Sequence, residues 1–247
     1  LPETAVSVTA SLVQNNELAV SNVVGSNIFN LMFVIGVCSI LTSIMVQKAT
    51  VVRDIPLSLG CALFLLVLGV SGLGDKAGMT LGHADGVIFL IVFAGYIFTM
   101  VRSAMKARAA GQKVEIEGVE ECDNMKELSY GKSILFLIVG AAAIAFGGDL
   151  TVDTASRIAI ELGMSQTLVG LTIVSIGTSL PELVTSVVAA RKNEVDMAVG
   201  NAVGSNIFNI LMVLGISSAI SPVALIQENI IVIVLYRLCF PGSKLPD

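Results

Sequence analysis

The chain has 247 residues, of which 55% are hydrophobic and only 13% charged, with a formal net charge of −5 and a mean hydropathy of +0.89. A soluble domain carries about 25% charge, so an ordinary water-soluble enzyme is excluded. The lack of a basic patch with interleaved aromatics speaks against nucleic acid. Four cysteines (Cys38, Cys61, Cys122, Cys239) without paired spacing speak against a disulfide framework or a zinc site.

Apolar blocks long enough to cross about 30 Å of hydrocarbon at about 1.5 Å per residue follow one another along the chain. The first expected span is partial, residues 3–13. It is followed by spans at 19–46, 56–73 and 84–101, then a fifth at 131–147, continued as a helix through 154–162. The sixth is expected at 167–190, the seventh at 197–220, and a shorter eighth at 230–240. The organisation read from this is a first repeat at 1–46, two spans within 47–102, a loop at 103–130, a span and connector at 131–164, a second repeat at 165–221, and a partial span with tail at 222–247. The chain opens mid-motif at Leu1-Pro2-Glu3 without an initiator Met. That predicts a fragment lacking an upstream span and half of its first helix, incomplete as a transporter.

Basic residues give an orientation. Of the 14 Lys and Arg, 12 fall on one side of the expected spans and 2 (Lys76 and Arg157) on the other, so the richer side, with loop 103–130, is expected to be cytoplasmic.

One passage occurs twice. LPETAVSVTA and AVSNVVGSNIFN at the start return as LPELVTSVVA and AVGNAVGSNIFN, at a constant offset of 179 that maps Glu3 to Glu182, Asn22 to Asn201 and Asn30 to Asn209. An odd number of spans separates the copies, so the repeats are inverted. Arg191-Lys192 stand where the first copy has Leu12-Val13, as if the same hairpin were dressed for opposite faces. Duplicated, interrupted apolar segments point to the binding site of a secondary transporter.

In Gly177-Thr178-Ser179-Leu180-Pro181-Glu182, Pro181 removes a donor and disfavours helix at Leu180, so the span is expected to break there. Irregular backbone inside a membrane is tolerated where it lines a cavity. Glu182 follows the break, as Glu3 follows Leu1-Pro2. Asn22, Ser26 and Asn30, like Asn201, Ser205 and Asn209, are spaced to share one helix face. Gly25 and Gly204 permit close helix approach.

The expected product is a mid-membrane cluster of two carboxylates among amide, hydroxyl and carbonyl oxygens. Such a set suits hard cations, with Ca²⁺ and Na⁺ favoured over Mg²⁺ and over transition metals. Two carboxylates balance one Ca²⁺, two Na⁺ or two protons.

Leu-Pro-Glu followed by Gly-Ser-Asn-Ile-Phe-Asn, twice and inverted, with Gly170-Leu-Thr-Ile-Val-Ser-Ile-Gly-Thr-Ser-Leu-Pro-Glu182, resembles the α-repeats of the calcium/cation antiporter superfamily, sodium/calcium exchanger type, bacterial members included. The resemblance implies an all-α polytopic membrane protein, an inverted-repeat helical bundle with discontinuous helices. It implies Ca²⁺ exchanged for Na⁺ across a bacterial inner membrane by alternating access, without a cofactor. Glu3 and Glu182 would be central Ca²⁺ ligands, with oxygens from Ser26, Asn30, Thr178, Ser179, Ser205 and Asn209. Some relatives carry Asp where this chain has Asn209, which weighs against a three-sodium stoichiometry and K⁺ co-transport. Ca²⁺/H⁺ antiport is the alternative within transport and a cation channel the alternative outside it; no nucleophile–base set suggests an enzyme.

Plainer readings stand beside these. Glu3 and Glu182 can hold helices together, and the Ser and Asn residues can be interhelical glue. Asn27 and Asn206, off the main face, read as structural. Asn22 and Asn201 read equally as helix contacts or as lining for ion access. Glu17 and Asp196 sit at hairpin mouths, Asp149 and Asp153 flank an expected polar turn, His83 reads as exposed, and the acidic stretch 115–123 reads as a solvated linker.

Overall fold

The computed structural model describes residues 2–42, 50–71, 80–109 and 130–225. The expected eighth span, the acidic stretch 115–123, most of the 103–130 loop, and Cys122 and Cys239 lie outside the described residues. Helix α1 is Pro2–Leu12 and α2 is Asn16–Leu41. A π-turn, Thr50–Asp54, leads into α3, Ile55–Ser71. Strand β1, Thr80–Leu81, precedes α4, His83–Ala109, and α5 is Tyr130–Glu161. Helix α6 runs from Gln166–Val169 through a π-turn at Gly170–Val174 to Ser175–Thr178. Then come α7, Leu180–Arg191, α8, Val195–Ile220, and β2, Val223–Ala224. Strands β1 and β2 pair antiparallel, Thr80 opposite Ala224 and Leu81 opposite Val223, a small exception to an otherwise helical architecture among the described residues.

Among the described residues, four helices are long and apolar enough to cross a membrane, and a fifth span results if the bent pair α6–α7 counts as one. Apolar side chains cover much of the outer surface: Ile40, Phe98, Phe136 and Phe146 are exposed. This is the surface of an integral membrane protein, whose outer face meets lipid rather than water. Val20, Val23, Leu65, Phe89, Ile207, Leu211 and Leu214 form the main buried cluster. Edge-to-face contacts of Phe64 with Phe89 and Phe93 with Phe208, at 5.4 and 5.6 Å between ring centres, tie α4 to α3 and α8.

Two expectations change. Helix α4 continues eight residues past the expected end at 101, because Ser-Ala-Met-Lys-Ala-Arg-Ala is rich in strong helix formers. No turn separates the expected fifth span from its connector. Gly147 and Gly148 cost helix stability, but the alanine-rich segment before them and the segment after them carry α5 through. Asp153 accordingly sits on a helix and pairs with exposed Arg157 at 2.7 Å, one turn on.

The hairpins α1–α2 and α7–α8 share local geometry down to the turn. Gln14 (φ 60°) and Asn193 (φ 63°), equivalent under the repeat offset, both adopt the left-handed conformation. In the first turn Asn15 N–H donates to Ala10 O at 2.8 Å and Gln14 N–H to Ser11 O at 3.1 Å. In the second, Glu194 N–H donates to Ala189 O at 2.9 Å and Asn193 N–H to Ala190 O at 3.0 Å. This is the Schellman closure, which satisfies the last carbonyls of each first helix. At the outer end of the pair, Asn16 Nδ2 donates to Ser221 Oγ at 3.0 Å and Pro222 O at 2.7 Å, tying the start of α2 to the end of α8.

Candidate ion site

The chain bends by 45° between α6 and α7, with Ser179 at the break. Pro181 causes it by lacking the N–H that Gly177 O would otherwise receive. Glu182 stands in the first turn of α7, where the unpaired N–H groups of a helix start favour a carboxylate, and Glu3 is its equivalent on α1. Glu3 is buried, and Ser179 Oγ donates to Glu3 Oε1 at 3.3 Å, so the break in the second repeat touches the acid of the first.

A cavity of about 320 Å³ is lined by Glu3, Glu182, Gly200, Asn201, Gly204, Ser205, Phe208 and Asn209. A larger cleft of about 660 Å³, between α1, α5 and α6, is mostly apolar and holds neither glutamate. Of the eight residues proposed from sequence, Glu3, Glu182, Ser205 and Asn209 line the smaller cavity, and Ser179 reaches it through Glu3. Ser26, Asn30 and Thr178 are buried beside it, in contacts between elements.

Each hairpin carries the same internal bonds. Asn22 Nδ2 donates to Ser7 Oγ at 3.0 Å and Glu3 O at 3.5 Å; Asn201 Nδ2 donates to Ser186 Oγ at 3.0 Å and Glu182 O at 3.2 Å. Ser7 Oγ donates to Ala19 O and Ser186 Oγ to Ala198 O, both at 3.3 Å. Asn22 and Asn201 are therefore helix contacts that hold the glutamate-bearing turn against the partner helix. Asn201 also faces the cavity.

A hydroxyl layer joins α6 to α2. Thr178 Oγ1 donates to Asn22 Oδ1 at 3.1 Å and lies 3.3 Å from Ser26 Oγ. Ser175 Oγ donates to Asn22 O at 2.9 Å and to Gly170 O. Sequence reasoning missed Ser175. Its only signal is a hydroxyl one turn before Thr178 in an apolar run. Gly25 allows this approach: a Cβ there would collide with Ser175 Oγ and with Leu171 O. Gly204, its equivalent, faces the cavity and has open space around it, which corrects the expectation of a close helix contact there.

Four amides meet where the repeats cross. Asn30 Nδ2 donates to Asn206 Oδ1 at 3.1 Å, and Asn209 Nδ2 to Asn27 Oδ1 at 3.1 Å. Asn206 Nδ2 donates to Asn27 O at 3.0 Å, and Asn27 Nδ2 to Asn206 O at 3.4 Å. A contact and its exchanged copy are what a two-fold axis between repeats produces. In both repeats a π-turn lies at this level, Phe29–Val34 and Asn209–Val213. Such turns often mark functional sites.

The donor set fits a hard cation. Glu182 Oε2 and Asn30 Oδ1 are buried oxygens without a hydrogen-bond partner among the described residues, an unfavourable arrangement unless something positive faces them. Among the described residues, no three of His, Cys, Asp and Glu come together as a transition metal would require.

The sodium/calcium exchanger protein family matches residues 1–102 and 132–240. Inner membrane protein YrbG of Escherichia coli is 35% identical over 225 residues, covering 90% of this chain and 66% of its own length. Sodium/calcium exchanger MaX1 of Methanosarcina acetivorans is 29% identical over 253 residues, covering 93% of this chain and 72% of its own length. The solved structure of the sodium-calcium exchanger NCX_Mj, soaked with 10 mM Na⁺ and zero Ca²⁺, superposes with a TM-score of 0.71 at 30% identity, over 99% of this chain and 75% of that one. The chain thus spans about two thirds to three quarters of the length of these proteins.

Proposed function

The chain belongs to the sodium/calcium exchanger protein family, and from that premise we propose that it forms the ion-binding part of an antiporter that moves Ca²⁺ against Na⁺ by alternating access. One observation carries this reading. Glu3 and Glu182, equivalent acids of opposite repeats, face a single polar cavity. Ca²⁺ accepts six to eight oxygens in flexible geometry, and two carboxylates with amide and hydroxyl oxygens supply that kind of set. Glu3, Glu182, Ser205 and Asn209 are the proposed lining ligands. Ser179, Thr178, Ser26 and Asn30 are proposed to complete the shell as the helices close. Two Na⁺ would balance the same two carboxylates. With both charges neutralised, the site can pass the low-dielectric barrier; bare, it is held back. Interrupted helices in inverted repeats suit a rocking motion around a fixed site.

The test is ⁴⁵Ca²⁺ uptake into proteoliposomes of the complete antiporter that contains this ion-binding part, driven by an outward Na⁺ gradient at clamped pH. Uptake is expected for the parent and should fall to background for Glu182→Gln, which removes one of the two formal charges. Uptake by Glu182→Gln at the parent rate refutes the site. Uptake driven only by a pH gradient would make the protein a Ca²⁺/H⁺ antiporter. Single-channel currents without counter-ion coupling would make it a channel. Flux insensitive to voltage would accord with two Na⁺ per Ca²⁺.

A further inference from the structure

Asparagine is an ambiguous cation ligand. One end of its amide is an oxygen acceptor and the other an NH₂ bearing two donors, and the two ends are nearly the same size. Asparagines in the positions of Asn30 and Asn209 are useful to a cation only with the oxygen forward. Turned over, each would aim partial positive charge at the ion and hydrogen-bond the nearest carboxylate instead.

The four-amide cluster removes that ambiguity through an unbroken chain of donor–acceptor logic. A main-chain carbonyl can only accept. The end of the Asn206 amide lying 3.0 Å from Asn27 O must therefore be nitrogen. Its other end is then oxygen, and it faces Asn30 at 3.1 Å, so the Asn30 atom there must be nitrogen. The Asn30 oxygen is thereby turned the other way, where it is buried and, among the described residues, without a hydrogen-bond donor. The same steps run from Asn206 O through the Asn27 amide, at 3.4 and 3.1 Å, and fix the nitrogen of Asn209, a residue of the cavity wall shared with both glutamates. Asn27 is 6% exposed and Asn206 fully buried, so water does not compete for either lock.

Resting on the reading that Asn30 and Asn209 offer oxygen to cations, we infer that Asn27 and Asn206 are positioning residues, each fixing the amide orientation of the candidate ligand on the opposite repeat. The locks are crossed: the first repeat aims the asparagine of the second, and the second aims that of the first. They touch no ion themselves. A carboxylate in place of Asn209 would need no lock, since both its ends are oxygens.

That difference supplies the test. Equilibrium ⁴⁵Ca²⁺ binding is measured on the lipid-reconstituted protein for Asn27→Leu, Asn209→Asp and the double variant. Without the lock, the Asn209 amide can rest its NH₂ on a glutamate, and binding must undo a hydrogen bond to a charged group. Asn27→Leu is therefore expected to raise the Ca²⁺ Kd on the order of tenfold to a hundredfold. In the Asn209→Asp background the same change should not weaken binding, because orientation no longer matters and leucine removes the oxygen that Asn27 would set against the new carboxylate. Equal losses in both backgrounds would reduce Asn27 to a packing role and overturn the inference, as would an unchanged Kd in the single variant. The outcome is separable from the site reading, which fails instead if Glu182→Gln binds Ca²⁺ like the parent.

Should Asn27→Leu not assemble, solid-state NMR of the unaltered protein decides. The side-chain NH₂ of Asn209 should stay protected from exchange with and without Ca²⁺, while its ¹³Cγ shifts on Ca²⁺ addition. An NH₂ that loses protection or reorients when Ca²⁺ is added overturns the lock.

Discussion

Gly25→Ala tests how closely α6 must approach α2 for the site to form. The added Cβ would meet Ser175 Oγ, the Leu171 carbonyl oxygen and, at 2.8 Å, Ser175 Cβ. The serine oxygen can rotate, but the carbonyl belongs to the backbone of the π-turn and cannot move without the helix. Overpacking of this kind costs about 1–3 kcal/mol. Replacing Gly by Ala inside a helix returns about 1 kcal/mol. The net loss is about 0–2 kcal/mol, or roughly 0–8 °C in Tm for a chain of this size. Gly95→Ala in α4 is the control. Its Cβ would find no heavy atom within 4 Å, so only the helix gain remains and Tm should hold or rise by roughly 2–4 °C. Thermal unfolding in one detergent compares the two. Because Thr178 and Ser179 ride on the displaced segment, Gly25→Ala should also reduce Ca²⁺ uptake more than Gly95→Ala does. A Gly25→Ala protein that melts with or above Gly95→Ala would refute the close-approach reasoning.

Asp85 Oδ2 accepts the Gly82 N–H at 2.8 Å, reaching back from the first turn of α4 to the residue before it. Asp85→Ala is expected to cost about 1 kcal/mol, seen as a fall in Tm that Asp85→Asn largely avoids; equal falls would deny the cap. Arg157→Ala removes an exposed ion pair with Asp153. Such pairs contribute about 0.5 kcal/mol or less, so Tm should stay within roughly 2 °C of the parent, and a larger fall would assign Arg157 a role beyond that pair.

The sequence makes much of this fold legible because the duplication states its own geometry. The offset relating Glu3 to Glu182 also relates the left-handed Gln14 and Asn193, and the bonds of Asn22 and Asn201. The break before Glu182 is legible because proline has a local chemical effect. The π-turns are not, since nothing in Phe-Asn-Leu-Met or Asn-Ile-Leu-Met separates one helical hydrogen-bond register from the next. Helical spacing puts Asn27 and Asn206 off the face shared by Asn22, Ser26 and Asn30. It leaves unsaid that this other face is where the repeats meet. The continuity of α5 is hidden for a different reason: Gly147-Gly148 followed by Asp149 has the composition of a turn, and only the summed preference of the flanking segments carries the helix on.

Asn27 and Asn206 are equivalent under the repeat offset and bond to each other, so they sit at the line about which one hairpin maps onto the other, whereas Asn16 with Ser221 and Pro222 joins residues that are not equivalent. In any rigid swing of one half about that line, a contact travels in proportion to its distance from it. The central amides can stay clasped like the pin of a pair of scissors, while any link far from that line would have to part.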